Sequence, residues 1–218
     1  MKKAPINADL IIFDLDGTLI DSRDDIVDAV NATLVHLGLK KKGRKFISSF
    51  IGWGSNSLLE GVLGKVNREL MKKAIDFYWW YYRRHGLDNT GLFPGAKDVL
   101  RHFRDKKMVI ISNKAKAFVV GQLRDLGVRK YFKKVIGGDD LKCSKPSPCP
   151  VLELLKRYKI KKQNAIIVGD MALDIETGKN AGIYTCGVTY GIGDVGELKK
   201  MRPDFVISRL SKLKEIIT

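Results

Sequence analysis

Short apolar runs separated by helix-sized polar segments recur along this chain, and that alternation limits its fold more than any other feature. The runs fall at residues 10–13, 108–112, 134–136, 165–168, 185–189 and 205–208, each of strand length. Parallel strands joined by crossover helices leave this alternation in a sequence, so the chain is predicted to be an α/β protein. The runs are apolar on consecutive residues rather than on every second one, so both faces of the sheet are expected to be covered by helices. The predicted covering helices lie at 96–106, 115–126, 150–158 and 172–181.

One stretch departs from the alternation. From about Asp21 to Asn89 there is no strand pattern, whereas Val27, Val30, Leu34 and Leu37 share one helical face and Leu70, Ala74, Tyr78 and Tyr81 share another. The prediction is a helical domain at 21–90 inserted into an α/β core made of 1–20 and 91–218. Phe93, Pro94 and Gly95 turn the chain back into the core. The consecutive aromatics from Phe77 to Tyr82 are read as core of the insertion rather than as a ligand stack.

A chain of 218 residues has room for one large domain or for a core with a modest insertion. Its 44% hydrophobic and 29% charged residues exclude a disordered chain, a collagen-like repeat and a disulfide-stapled mini-protein. Charge is the outlying quantity. Forty Lys plus Arg against 24 Asp plus Glu give +16, which suits an anionic partner: nucleic acid, acidic lipid or a phosphorylated small molecule. The basic residues are spread rather than blocked and no DNA- or RNA-binding motif is present, so no nucleic acid is expected. Asp14 and Asp16 interrupt the first apolar stretch, which is therefore no signal-peptide core. The longest dense apolar run elsewhere, Phe77 to Tyr82, is far shorter than the roughly 20 residues that span a bilayer. A cytoplasmic protein with no membrane segment is the expectation. Cys143, Cys149 and Cys186 are odd in number and form no CxxC pair, so they are read as small buried or idle thiols of a reducing compartment.

Chemistry concentrates where the runs end. Asp14 and Asp16 follow directly on the run 10–13, at the edge where open parallel sheets bind ligands, and two carboxylates there can share one hard divalent cation. Gly17 permits the sharp turn that comes next; the alternative is a pair of merely turn-forming acids. An EF-hand is a poorer fit, because its loop glycine stands sixth whereas Gly17 is fourth counting from Asp14. Asp170 closes the run 165–168 in the same way, with Asp174 four residues on. If the two runs are neighbours, Asp14, Asp16 and Asp170 converge on an oxygen-rich pocket suited to magnesium. Asp174 is either an outer metal partner or a favourable charge at a helix N-terminus. Counter-charge comes from two further strand-end segments, Ser112-Asn113-Lys114 and the Pro-rich loop 144–148 with its Lys145. His36, His85 and His102 stand alone and receive no role.

Taken in order, IIFDLDGTL at 11–19, the strand ending in Ser112, Lys145 within SKPSP and GDMALD at 169–174 resemble the four motifs of the haloacid dehalogenase-like hydrolase superfamily, over essentially the whole chain. The resemblance implies a Rossmann-like doubly wound parallel sheet with a helical cap of the first type inserted after Asp21 and Ser22. SNK at 112–114, FPG at 93–95 and GGDD at 137–140 look most like the phosphoglycolate phosphatase-like subfamily. The resemblance also implies a mechanism. Asp14 would be the nucleophile that forms an aspartyl-phosphate, and Asp16 the general acid and base. Ser112 and Lys145 would grip the transferring oxygens, with Gly17, Thr18, Asn113 and Lys114 contributing to substrate binding. Magnesium would be held by Asp14, the backbone carbonyl of Asp16 and Asp170, with Asp174 nearby.

An acid at position 16 favours a phosphatase or phosphomutase, since in the resembling family transport ATPases carry Thr there and dehalogenases lack the paired acid. Within the cap, Gly52, Trp53, Gly54, Ser55 and Asn56 form a candidate specificity loop; the alternative is a helix–helix turn with Trp53 packed in the cap core. The expected substrate is a small phosphorylated metabolite, 2-phosphoglycolate first, handled by a monomer or homodimer. Rival expectations are a phosphosugar mutase, a pyrophosphatase or a nucleotidase of the same fold, and a basic nucleic-acid-binding module without catalysis. The catalytic segments are rich in carboxylate, so the excess lysine is expected outside the metal site, in part steering dianionic substrates.

Overall fold

The computed structural model describes residues 4–218. Eight strands, β1 (Leu10–Phe13), β2 (Ile20–Asp21), β3 (Gly91–Leu92), β4 (Lys107–Ile111), β5 (Lys134–Ile136), β6 (Ala165–Gly169), β7 (Tyr184–Val188) and β8 (Phe205–Ile207), alternate with helices. The helices are α1 (Arg23–His36), α2 (Arg44–Ser48), α3 (Ser55–Leu63), α4 (Arg68–His85), α5 (Ala96–His102), α6 (Lys116–Asp125), α7 (Cys149–Tyr158), α8 (Ala172–Ala181), α9 (Val195–Lys200) and α10 (Leu213–Ile216). Six strands form one sheet in the order β5-β4-β1-β6-β7-β8, and every pairing in it is parallel. This is the expected doubly wound α/β fold, and the direction of winding reverses at β1.

The sheet is buried on both faces because each strand divides its apolar residues between two layers. Ile11 and Phe13 of β1, Met108 and Ile110 of β4, and Ile166 and Val168 of β6 enter one core layer. Leu10, Ile12, Val109, Ile111, Ala165 and Ile167 enter the other. A side chain of this size contributes roughly 1.5–3 kcal/mol when fully buried, so the central strands are held tightly and their ends are fixed platforms.

The chain leaves the sheet after β1 and returns before α5 through a small antiparallel ribbon, with Ile20 opposite Leu92 and Asp21 opposite Gly91. Two-residue strands carry too little periodicity to be predicted, and these were not. Between them α1 to α4 bury a separate cluster built from Ile26, Val30, Leu34, Leu58, Leu59, Ala74, Tyr78 and Tyr82. The buried stripe of α4 continues from Tyr78 to Tyr82 rather than to Tyr81. Asp25 closes the base of this lobe: its buried carboxylate accepts the backbone N–H groups of Asn89 and Thr90, the Asn89 amide and the Thr90 hydroxyl. Among the described residues no helix is long and apolar enough to cross a membrane.

The cysteines depart from expectation. Cys143 and Cys149 are joined as a disulfide and only Cys186 is a free, buried thiol. No CxxC spacing announces this pair; a turn closed by the Ser147 N–H on the Ser144 carbonyl (2.9 Å) folds the loop back so that its ends meet.

Candidate active site

The reversal point of a doubly wound sheet leaves a crevice at the carboxyl ends of the central strands, and the residues that come after β1, β4 and β6 meet there. Asp14 continues β1, its N–H donating to the Val168 carbonyl of β6 (2.9 Å). Leu15 then starts a tight turn in which its carbonyl accepts the N–H groups of Thr18, Leu19 and Ile20. Gly17 sits in that turn at φ 88°, and a Cβ there would collide with the Asp170 carboxylate, so the turn and the close approach both require glycine.

Asp14, Asp170 and Asp174 are all buried and each offers a carboxylate oxygen within 4.8 Å of the other two. Lys145 reaches into this trio, its Nζ 2.6 Å from Asp14 Oδ1 and 2.6 Å from Asp174 Oδ1. Thr18 Oγ1 donates to Asp170 Oδ1 (3.0 Å), and the N–H groups of Ile192 (2.8 Å) and Gly193 (2.9 Å) donate to Asp170 Oδ2. Asp174, in the first turn of α8, also accepts the Met171 N–H (3.0 Å). It therefore serves the helix end and the charged cluster together.

Three carboxylates and one ammonium leave this dry cluster with an excess of negative charge. Burial, together with the neighbouring Asp174 and Asp170, raises Asp14 well above the usual carboxylate range, against the pull of Lys145. Asp170 is pushed up to about 6, by burial first and then by Asp174, while the N–H groups of Gly193 and Ile192 work the other way. Burial acts to lower Lys145, but Asp14 and Asp174 outweigh it and hold the ammonium above its ordinary value. Buried ion pairs of this kind are weak sources of stability, and their strongly shifted acids mark a functional cluster. An all-oxygen donor set with surplus negative charge fits a hard divalent cation such as magnesium.

Asp16 belongs to a different neighbourhood. Its Oδ1 accepts from Ser22 Oγ (2.5 Å) and from Lys114 Nζ (2.6 Å), and its side chain is no part of the carboxylate trio. Lys114 also donates to Tyr82 Oη (2.9 Å) and Gln122 Oε1 (2.9 Å), and Gln122 Nε2 reaches Tyr82 Oη (3.1 Å). Ser22, Tyr82 and Gln122 escaped sequence reasoning: Ser22 stands beside the first motif, but nothing local distinguishes the other two from core residues.

Ser112 follows directly on β4, which ends one residue earlier than the predicted run, and its Oγ accepts the Lys114 N–H (3.2 Å). The Asn113 side chain holds two loops rather than standing free: it accepts the Lys145 N–H (3.0 Å) and donates to the carbonyls of Lys145 (3.1 Å) and Gly52 (3.0 Å). A cavity lies between the strand ends and the helical lobe. Asp14, Asp16, Ser112, Lys114 and Lys145 form its floor, and Ile26, Leu58, Tyr78, Trp79, Tyr82 and Phe118 its roof. Gly52 and Gly54 line it as well, and a Cβ at Gly52 would collide with Met171 Sδ. Trp53 does not: it is 51% exposed and lines outer grooves, neither packed in the lobe nor facing the carboxylates. Half of the aromatic run thus serves the cavity as well as the lobe, while Phe77 stacks on His36 (3.9 Å) and Trp80 lies under Arg84 (4.3 Å).

Buried carboxylates bridged by one lysine, with a separate acid two residues along the chain from Asp14, suit chemistry on an anionic phosphoryl group. Residues 11–188 match the model of the haloacid dehalogenase-like hydrolase family, and the chain belongs to that family. It is 35% identical over 225 residues to a phosphoglycolate phosphatase of Neisseria gonorrhoeae, covering 99% of this chain and 95% of that one. It is 31% identical over 217 residues to a phosphoglycolate phosphatase of Vibrio parahaemolyticus, covering 95% of each. A crystal structure of a predicted phosphoglycolate phosphatase from Haemophilus somnus has the same fold, with a TM-score of 0.91 at 24% identity over 96% of this chain and 97% of that one. The chain is accordingly a phosphatase, a hydrolase of phosphoric monoesters, of the phosphoglycolate phosphatase-like subfamily.

Proposed function

We propose that this phosphatase is magnesium-dependent, cleaves 2-phosphoglycolate through an aspartyl-phosphate on Asp14, and uses the helical insertion, residues 21–90, as a cap over the site. The observation that carries the reading is the division of labour between two acids two residues apart: Asp14 joins the charged trio, whereas Asp16 turns to Ser22 and Lys114. Asp14, Asp170 and the backbone carbonyl of Asp16 would hold the ion, with Asp174 adjacent. When bound, magnesium supplies charge that offsets the repulsion between a carboxylate and a phosphate dianion.

The remaining chemistry belongs to the chain's own residues. An Asp14 oxygen attacks phosphorus and the P–O bond to the glycolate oxygen breaks, while Asp16 delivers the proton that the leaving oxygen needs. Ser22 and Lys114 both occupy Asp16 Oδ1, which leaves Oδ2 to carry that proton. In the second half Asp16 takes a proton from water, the water oxygen attacks phosphorus, and Asp14 is released with phosphate. Lys145 and Ser112 neutralise and orient the transferring oxygens. Lys114, at the cavity floor beside Asp16, meets the carboxylate of the substrate by exchanging its Tyr82 or Gln122 contact for it, and the apolar roof excludes water.

Phosphate release measured with magnesium across a panel of esters tests this. The expected result is the highest kcat/KM for 2-phosphoglycolate. In Lys114→Met, KM for that substrate should rise roughly tenfold, and less for an aryl phosphate, whose leaving group carries no charge, as for one lost charged contact. Conversion of a hexose 1-phosphate primed with its bisphosphate would establish a mutase instead. Preferential turnover of pyrophosphate or a nucleotide would displace the proposed substrate.

A further inference from the structure

Lys145 lies inside a segment bounded by cysteines, Cys143-Ser144-Lys145-Pro146-Ser147-Pro148-Cys149. The ends of that segment are joined by the disulfide, with Cα atoms 6.3 Å apart. Three further ties hold the segment: the Ser147 N–H on the Ser144 carbonyl (2.9 Å), the Asn113 side chain bracketing the Lys145 backbone, and the Asn180 amide on the Pro146 carbonyl (3.2 Å). Cys149 is exposed and is the first residue of α7, and Cys143 is half-buried. The sulfur pair is therefore open to soluble thiols and disulfides although the lysine between its ends is buried.

We propose that Cys143 and Cys149 are a redox-responsive pair that sets the order of the Lys145 loop and, through it, the rate of phosphate-ester hydrolysis. The proposal rests on the reading of Lys145 as the group that grips the transferring oxygens. The oxidant is a low-molecular-weight disulfide of the glutathione class. The Cys149 thiolate attacks one sulfur of that disulfide, forming a mixed disulfide and releasing one thiol. The Cys143 thiolate then attacks the Cys149 sulfur, forming the internal S–S bond and releasing the second thiol. Two electrons pass to the oxidant, and the two protein thiol protons end on the two released thiols. Reduction reverses both steps. The oxidised form holds the loop closed around Lys145, and the reduced form keeps its hydrogen bonds and the Lys145 ion pairs but loses the covalent tie between its ends. Where glutathione keeps thiols reduced, protein disulfides are usually transient and redox-sensing, which matches this behaviour.

The test compares the full chain after dithiothreitol with the full chain after oxidised glutathione, each freed of reagent. Thiols counted after denaturation should number three in the first and one in the second, the latter being Cys186. Amide hydrogen exchange across 144–148 should speed up on reduction, and kcat/KM for an aryl phosphate should fall roughly three- to tenfold, short of the hundredfold that a 1 Å misplacement can cost. Cys143→Ser and Cys149→Ser should each stay at the reduced value whatever the oxidant. Interconversion of the thiols with exchange and turnover both unchanged would overturn the proposal, as would failure of the pair to oxidise. If exchange responds to reduction while turnover does not, the reading of Lys145 as the group that grips the transferring oxygens is refuted while the clamp itself stands.

Discussion

The floor and the roof of one cavity are made of opposite materials. Around the floor, Asp14 and Asp170 are buried charges at the ends of central strands, joined by Asp174 from the first turn of α8 and by Lys145 from the loop after β5, and the sheet that carries the two strand ends is packed on both faces. On the roof Leu58, Tyr78 and Trp79 are apolar side chains of helices that bury their own separate cluster. The floor spends stability to hold charge together in a dry place, whereas the roof gains stability by the same packing that shapes the cavity. Changes on the floor should therefore damage chemistry more than folding, and changes on the roof should do the reverse.

The largest effect is expected from Asp14→Asn, which removes the nucleophile: phosphate release should fall roughly 10⁴-fold or more, while the thermal midpoint stays or rises. A variant that retains turnover would end the covalent mechanism. Asp170→Asn should lower turnover roughly a hundredfold or more by weakening the metal site. Its amide can still accept from Ile192 and Gly193 and donate to Thr18. The same residue makes a pH prediction. In the metal-free protein Asp170 is raised from 3.8 to about 6, so the folded state binds the proton more tightly than the unfolded chain does. That contribution to stability is complete below the unfolded value and is lost as pH rises through about 6. Unfolding of the metal-free wild type should show the loss, Asp170→Asn should lack it, and magnesium should raise the midpoint more above this window than below it.

On the roof, Leu58→Ala should cost about 2–4 kcal/mol in denaturant unfolding, as a cavity in a packed cluster does, with turnover of an aryl phosphate changed only a few-fold. A collapse of turnover without loss of stability would erase the contrast between the two walls. The smallest effect belongs to Trp53→Ala. Because the indole faces outer grooves, kcat/KM should move by less than roughly twofold, and stability by no more than about 0.5 kcal/mol, as for a surface change.

Much of the floor was legible in advance because each of its parts is local. A run that is apolar on consecutive residues predicts a strand buried on both faces, and the first run matches β1 residue for residue. The residues directly after such a strand must emerge at the sheet edge, which placed Asp14, Ser112 and Asp170 before any partner was known. The roof was less legible. Between Phe77 and Tyr82 every residue is aromatic, so there is no contrast from which to choose a face, and packing against Phe118 and Gln122 of α6 selected Tyr82 over Tyr81. Asp25 and Gln122 resemble ordinary helix residues until the segments that they hold are brought alongside, and the Cys143–Cys149 pair depends on a loop turn that no cysteine spacing encodes.

The sequence by itself determined which residues stand at strand ends, because alternation and apolar runs are short-range facts. The tertiary structure alone decided which of them meet. Lys145 and Asp14 are 131 positions apart, and they meet because β4 lies beside β1 and Asn113, just after β4, holds the Lys145 backbone at the end of β1. The same long-range packing turned Asp16 toward Lys114 and away from the trio, separating two adjacent acids into two chemical environments.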